Sequence, residues 1–171
     1  RNPNTLERIH AFEGHNSLVP GFLMLDNEQV VTYSWDSTIA IWDPYEGTLV
    51  HKLEGHRAEV NSITILDSQN ILSLSKDHSL RLWDTNTGEV IHIFEGHTEE
   101  IYGIEIISND RLVSYSRDGS IRVWSLIDGR SIHTLESSSH IKGVKEIDDE
   151  RIIAHHGDET LRIWSLKDGT L

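Results

Sequence analysis

The stretch from Gly55 to Asp84 decides the fold, and it reads GHRAEVNSITILDSQNILSLSKDHSLRLWD. Short segments in it alternate apolar with polar residues, and turn-forming residues such as Asp67 and Asn70 separate them. A half-buried β-strand shows this alternation because its successive side chains point to opposite faces of the sheet. The stretch therefore predicts a series of short, half-buried strands.

The stretch recurs along the chain, because three landmarks repeat with a step of 41 residues. They are a Gly-His pair (Gly14-His15, Gly55-His56, Gly96-His97), an aspartate (Asp36, Asp77, Asp118) and a tryptophan (Trp42, Trp83, Trp124). A fourth tryptophan, Trp164, follows 40 residues later. A repeat of about 40–45 residues with Gly-His near one end and Trp-Asp at the other is typical of one four-stranded propeller blade.

On these motifs the chain resembles the WD-repeat β-propeller family over almost its whole length. The Trp-Asp dipeptide stands at Trp42-Asp43 and Trp83-Asp84, and the later copies read Trp124-Ser125 and Trp164-Ser165. The resemblance implies an all-β fold, a β-propeller of four-stranded antiparallel blades with four WD-type repeats in a single domain, 1–171. The repeats span about 6–46, 47–87, 88–128 and 129–168.

The resemblance also implies where the inner and outer strands of each blade lie. The innermost strands are predicted at Val19–Leu25, Val60–Leu66, Ile101–Ile107 and Ile141–Ile147. The outermost strands are predicted at Leu6–Phe12, Leu49–Leu53, Val90–Phe94 and Ser131–Leu135. The chain thus begins with an outer strand, whereas the last repeat stops after its third strand. The resemblance implies that Leu6–Phe12 supplies the outer strand of the last blade and leaves no open sheet edge.

The size of the ring stays open at this stage. Propellers contain about 4 to 8 blades, and WD-type rings usually carry seven or eight. Two chains can form one eight-bladed ring, each lending Leu6–Phe12 to the other, and such a homodimer is our prediction. The alternatives are a closed four-bladed monomer and a half ring cut from a larger propeller, which the lack of an initial Met would suit.

Composition narrows the function classes. The formal net charge is −13, which disfavours binding to nucleic acid or to an anionic membrane, where phosphates demand Lys and Arg. A basic protein partner would suit this charge, and the charge could equally serve only to keep the protein soluble. The chain has no cysteine, so disulfides and thiolate metal sites are excluded, and a cytoplasmic location is our expectation. No cofactor motif is present.

Each repeat carries a His, a Ser or Thr, an Asp and a Trp that could be read as a hydrolase triad. The three sets are His15, Thr32, Asp36 and Trp42; His56, Ser73, Asp77 and Trp83; and His97, Ser114, Asp118 and Trp124. The resemblance implies instead a buried chain of hydrogen bonds, here called the tetrad. A buried indole has one donor and needs a partner, and three copies are unusual for a catalytic site.

The fourth repeat departs from this pattern. Its alignment requires a one-residue deletion, after which Ser138 takes the histidine position and Ala154 the serine position. We expect this blade to be the least rigid.

Two further histidine groups could suggest metal binding. His10, His51, His92 and His133 recur on outer strands, which diverge too far to share one ion. His155 and His156 are neighbours on a strand and so point to opposite faces. Structural roles are the prediction for both groups.

The resemblance also implies which residues face the central channel on the narrow side. The predicted partner-binding residues are Leu18, Pro20, Trp35, Glu59, Asn61, Lys76, Glu100, Tyr102 and Arg117, with His140, Lys142 and Gly157 as fourth-repeat equivalents. Trp35 is the tryptophan outside the repeat, and Trp, Tyr and Arg are common binding hot spots. Trp35 could equally pack on a neighbouring loop.

The sequence therefore predicts a protein-protein interaction scaffold, without catalysis, that binds a protein or peptide on the channel-side face. One alternative is a recognition or sensor part excised from a larger multidomain protein. Another is a hydrolase that uses a single tetrad.

Overall fold

The computed structural model describes residues 10–108 and 110–170, and within these ranges all regular structure is β-strand. Each antiparallel sheet takes consecutive strands in chain order. The first sheet contains β1 (Gly21–Met24), β2 (Val30–Tyr33), β3 (Ile39–Asp43) and β4 (Thr48–Leu53). The second contains β5 (Val60–Ile65), β6 (Asn70–Ser75), β7 (Leu80–Asp84) and β8 (Val90–Phe94). The third contains β9 (Ile101–Ile107), β10 (Arg111–Ser116), β11 (Ser120–Ser125) and β12 (Ser131–Glu136). The fourth contains β13 (Ile141–Asp148), β14 (Arg151–His156) and β15 (Leu161–Ser165).

Apolar side chains join neighbouring sheets face to face. Ile39 and Ile41 of the first sheet pack with Ile63 and Trp83 of the second. Similar clusters lie between the second and third sheets and between the third and fourth sheets. Both faces of an inner sheet are therefore covered. This is why β6 and β7 are buried nearly throughout rather than alternating between buried and exposed residues.

The predicted strands lie close to the observed ones, with one informative shift. The first inner strand begins at Gly21 rather than at Val19. Pro20, which precedes it, has no N–H to donate to a ladder. β9 has the bounds that the sequence predicts.

The predicted closing strand Leu6–Phe12 falls largely outside the described residues. His10, Ala11 and Phe12 are described and are not part of a strand. The fourth sheet has three strands in the described part of the chain. The described part contains no helix of the length and hydropathy needed to cross a membrane.

Candidate partner-binding surface and the networks beneath it

The four tetrad side chains of the second repeat form one hydrogen-bonded chain. Trp83 Nε1 donates to Ser73 Oγ at 2.8 Å, and Ser73 Oγ lies 2.7 Å from His56 Nε2. His56 Nδ1 donates to Asp77 Oδ2 at 2.8 Å. Since the carboxylate accepts at Nδ1, Nε2 is the acceptor for the serine hydroxyl. The chain ties the third strand of the sheet to the Gly-His loop.

The first and third repeats contain the same chain of hydrogen bonds. Trp42 Nε1 donates to Thr32 Oγ1 and Trp124 Nε1 to Ser114 Oγ, both at 2.8 Å. The His97 Nδ1 to Asp118 Oδ2 distance is 2.8 Å, and the corresponding distance from His15 to Asp36 is 3.1 Å. The loop that carries His15 is thus held by the longest of the three contacts.

A second hydroxyl completes each network, and the sequence reasoning missed it. Thr38 and Ser79 donate to Asp36 Oδ1 and Asp77 Oδ1 at 2.6 Å, and Ser120 donates to Asp118 Oδ1 at 2.7 Å. These three positions share the 41-residue step, so the signal was present in the sequence. Each aspartate also accepts the backbone N–H of the residue after the histidine.

These contacts determine how the three aspartates ionise. Burial alone would raise the pKa of Asp118, but hydrogen bonds from Ser120, His97 and the Thr98 N–H outweigh it and lower the pKa to about 2. Burial likewise opposes the shift at Asp36 and Asp77, yet hydrogen-bond donors hold both pKa values well below their usual range. All three carboxylates are therefore ionised acceptors at neutral pH.

This geometry favours a structural role for the tetrads over hydrolysis. Ser73 and Ser114 are fully buried. Each serine oxygen already accepts the indole N–H and lies against the histidine ring, so a substrate carbonyl has no approach to it.

The fourth repeat lacks this chain of contacts. Ala154 replaces the serine, and Trp164 Nε1 is buried without a partner among the described residues. Asp158 instead accepts from Thr160 Oγ1 at 2.6 Å and from Arg162 Nη2 at 2.5 Å. Loss of one tetrad thus leaves an orphaned donor in the core between the third and fourth sheets.

An Ala154→Ser variant is expected to raise the free energy of unfolding by about 1 kcal/mol, because its hydroxyl gives Trp164 Nε1 an acceptor. The equivalent positions Ser73 and Ser114 already hold a fully buried serine. Urea denaturation measures the gain, with Ala154→Gly as the matched control that adds no acceptor. A Ser variant that is no more stable than the wild type would contradict this interpretation of Trp164.

The outer-strand histidines link neighbouring sheets. His51 Nε2 lies 2.8 Å from the carbonyl oxygen of Asn86 in the second sheet, and His92 Nε2 lies 3.1 Å from that of Ile127 in the third. A Cβ atom at Gly88 would lie 3.1 Å from the His51 ring, and Gly88 has a φ of +75°. Glycine is therefore required there for space and for backbone conformation. In the described ranges no cluster of His, Cys, Asp and Glu could hold a metal ion.

The predicted channel-side residues occur as backbone-bonded pairs. The N–H of Trp35 donates to Leu18 O at 3.0 Å, and the N–H of Lys76 donates to Glu59 O at 2.9 Å. Arg117 and Glu100 form the equivalent pair in the third repeat, at 2.9 Å. Each tight turn is thereby fixed next to the start of an inner strand, so the side chains project from rigid elements.

Side chains then connect the first two repeats. Lys76 Nζ lies 5.4 Å from the centroid of the Trp35 ring and 3.4 Å from Glu59 Oε1. Trp35 remains 44% exposed. The tryptophan therefore does contact a neighbouring turn and also keeps nearly half of its surface free.

A second group lies between the later repeats. The rings of Tyr102 and His140 meet edge to face with centroids 5.0 Å apart. Asn61, Glu100 and Tyr102 line a cavity of about 350 Å³ between the second and third sheets. The remaining predicted residues, Leu18, Pro20 and Arg117, are exposed.

The structure resembles several solved structures. A computationally designed protein, Ika4, shares 27% identity with a TM-score of 0.73, and the match covers 93% of this chain and 98% of that one. Another, Ika8, shares 27% identity with a TM-score of 0.74, over 91% of this chain and 48% of that one. The WD40 β-propeller domain of Doa1 shares 26% identity with a TM-score of 0.70, over 91% and 53%. The chain thus spans about half the length of the Ika8 and Doa1 chains.

Comparison with curated protein sequences gives no match. The family model for the WD domain, G-beta repeat, matches residues 6–43, 47–84 and 88–125. The fourth repeat lies outside these matches, which agrees with its missing tetrad. Together with the four antiparallel sheets, these matches confirm that the chain belongs to the WD40 repeat family.

Proposed function

We propose that this chain is a scaffold without catalytic activity, and that it binds a basic protein or peptide on its channel-side face. WD40 propeller domains generally mediate protein-protein interaction. The observation that carries the proposal is Trp35, which is half exposed and held by Lys76 on a hydrogen-bonded turn. A large aromatic side chain that is already positioned loses little conformational entropy on binding.

The character of the partner follows from what surrounds Trp35. The carboxylate of Glu59 pairs with Lys76, the residue whose ammonium group contacts the Trp35 ring. Glu100 lines the cavity between the second and third sheets together with Tyr102. The chain as a whole carries a net charge of −13. An apolar anchor beside carboxylates suits a peptide that carries one bulky side chain with Lys or Arg nearby.

We also propose that the chain forms part of a larger ring, which is supported by its match to about half of the Doa1 chain. Because the chain spans about half of the Doa1 propeller chain, the surface described here would be part of a larger ring. The ring is completed either by a second copy, giving eight blades from a homodimer, or by further repeats of a larger parent protein. In the latter case the chain is the recognition part of a multidomain protein.

A Trp35→Ala variant is expected to bind such peptides at least about tenfold more weakly, since buried aromatic anchors can contribute about 2 kcal/mol or more. Peptides are first selected from a random library against the wild-type chain. Their dissociation constants are then measured by calorimetry for the wild type and the variants. Glu59→Ala should mainly lower the association rate in a salt-dependent way, because charges at the rim act on the encounter.

The matched control is Ile127→Ala, which removes an apolar side chain that is 74% exposed in a turn of the third sheet. It should leave binding unchanged. Peptides whose affinity is indifferent to changes at Trp35, Tyr102 and Arg117, but is abolished by changes at His51 or His92, would assign the binding face to the outer strands instead.

A further inference from the structure

The two end sheets each leave one apolar face uncovered. On the first sheet Phe22 is 66% exposed, and the preceding Val19 is 44% exposed. On the fourth sheet Leu161 is 66% exposed and Ile163 is 47% exposed. Since each face would be covered if the other packed on it, the first and fourth sheets of one chain do not pack on each other.

The residues at the first-sheet end occupy positions that are buried elsewhere in the repeat. Val60 and Ile63 are the equivalents of Val19 and Phe22 in the second sheet, and they are 0% and 7% exposed. They lie in the core shared with the first sheet. The exposed face of the first sheet is therefore of the kind that packs against a preceding sheet.

The exposed residues of the fourth sheet occupy positions that, in the second sheet, pack against the following sheet. Leu80 and Leu82 are the equivalents of Leu161 and Ile163 in the second sheet, and they are 0% and 5% exposed. They lie in the core shared with the third sheet. The exposed face of the fourth sheet is of the kind that packs against a following sheet, so the two ends are complementary.

The described N-terminal residues already lie where the outer strand of a preceding sheet would lie. His10 Nε2 is 2.8 Å from Tyr45 O, the same contact that His51 makes with Asn86 O across a sheet boundary. Phe12 stacks on Trp42 with ring centroids 5.1 Å apart, as Phe94 of the second sheet meets Trp124 of the third. His10 and Phe12 therefore occupy, on the first sheet, the outer-strand position of a neighbour that is not its own fourth sheet.

We propose that this neighbour is the fourth sheet of a second copy. The face with Val19 and Phe22 of each chain packs on the face with Leu161 and Ile163 of the other, giving two identical contacts related by a two-fold axis. This inference identifies the occupant of the ring described under the proposed function, and it stands apart from the channel-side binding face.

Light scattering and analytical ultracentrifugation of the full chain at micromolar concentration test the proposal. The expected result is twice the chain mass. Phe22→Asp and Leu161→Asp should each raise the dissociation constant of the dimer about 100-fold or more, because each places an unpaired carboxylate in both contacts. Ile127→Asp, at an exposed apolar residue outside both faces, should leave the mass at the dimer value.

Mixing the two variants tests the pairing itself. A mixture of Phe22→Asp and Leu161→Asp chains has one contact with both native faces, so it should associate more tightly than either variant alone. Circular dichroism checks that both variants remain folded. A mixture that behaves as the average of its parts would overturn the complementary pairing.

The measured mass, taken together with peptide binding, distinguishes failure of the dimer proposal from failure of the proposed function. A monomer at tens of micromolar, or a series of growing filaments, overturns the closed dimer. A monomer that still binds selected peptides through Trp35 leaves the proposed function standing. A dimer that selects no peptide removes the proposed function and keeps the pairing.

Discussion

Replacing Asp77 with alanine should lower the free energy of unfolding by about 3 kcal/mol or more. Asp77 accepts hydrogen bonds from His56 Nδ1, from the N–H of Arg57, and from both the N–H and the hydroxyl of Ser79. His56 and Ser79 are buried, and each buried donor left without a partner costs about 1–3 kcal/mol. The loss should therefore exceed that of an ordinary surface substitution several-fold.

Urea denaturation of Asp77→Ala beside Ser138→Ala measures this effect. Ser138 is exposed and stands at the histidine position of the repeat whose tetrad is missing. Its replacement should change the free energy of unfolding by less than about 0.5 kcal/mol. Equal shifts for the two variants would show that the tetrads do not carry the stability assigned to them.

Acid should destabilise the fold between pH 4 and about pH 2. The aspartates of the three tetrads have pKa values held below the ordinary 3.8, at about 2 for Asp118. The unfolded chain therefore binds protons in this range while the folded chain does not. The stabilisation is complete above pH 4 and is lost as the pH falls, at about 1.4 kcal/mol for each pH unit that a carboxyl is shifted.

The free energy of unfolding should begin to fall at a higher pH than the aspartates alone would cause, because the fold contains buried histidines. Burial lowers the pKa of His97 below the ordinary 6.5, against the opposing effect of Asp118. Burial and the nearby Arg162 lower the pKa of His156 as well. Below pH 6.5 the unfolded state gains these protons first, so the folded state loses stability.

The free energy of unfolding in urea, measured from pH 7 to pH 2.5, checks both ranges. His156→Ser introduces the serine that the other repeats carry at Ser34, Ser75 and Ser116. This variant should reduce the pH dependence of the free energy of unfolding near neutral pH. Asp118→Asn should reduce the pH dependence of the free energy of unfolding below pH 4. A free energy of unfolding that stays constant from pH 7 to pH 3 would contradict the ionisation states described here.

The repeat step explains how much of the fold the sequence could predict. Four sets of strands followed from a 41-residue period and from the alternation of residues such as those in β9, because backbone pairing and burial impose that pattern. The residue types of the tetrads followed from the same period. Their hydroxyl partners at Thr38, Ser79 and Ser120 could have been found in the same way.

Other features depend on contacts that no period reveals. The approach of Lys76 to Trp35 joins two repeats, and neither residue recurs in the others. His156 fills the place of a serine and contacts Ser137 Oγ at 2.9 Å in a loop shortened by one residue. The orphaned Trp164 N–H likewise depends on how that loop packs.

The indole N–H resonances of the five tryptophans test the central claim most directly. During titration with a selected basic peptide, the Trp35 resonance should move progressively to saturation. Those of Trp42, Trp83 and Trp124, which donate to buried hydroxyl oxygens, should stay in place. Saturating binding that leaves the Trp35 resonance unmoved would contradict the channel-side assignment.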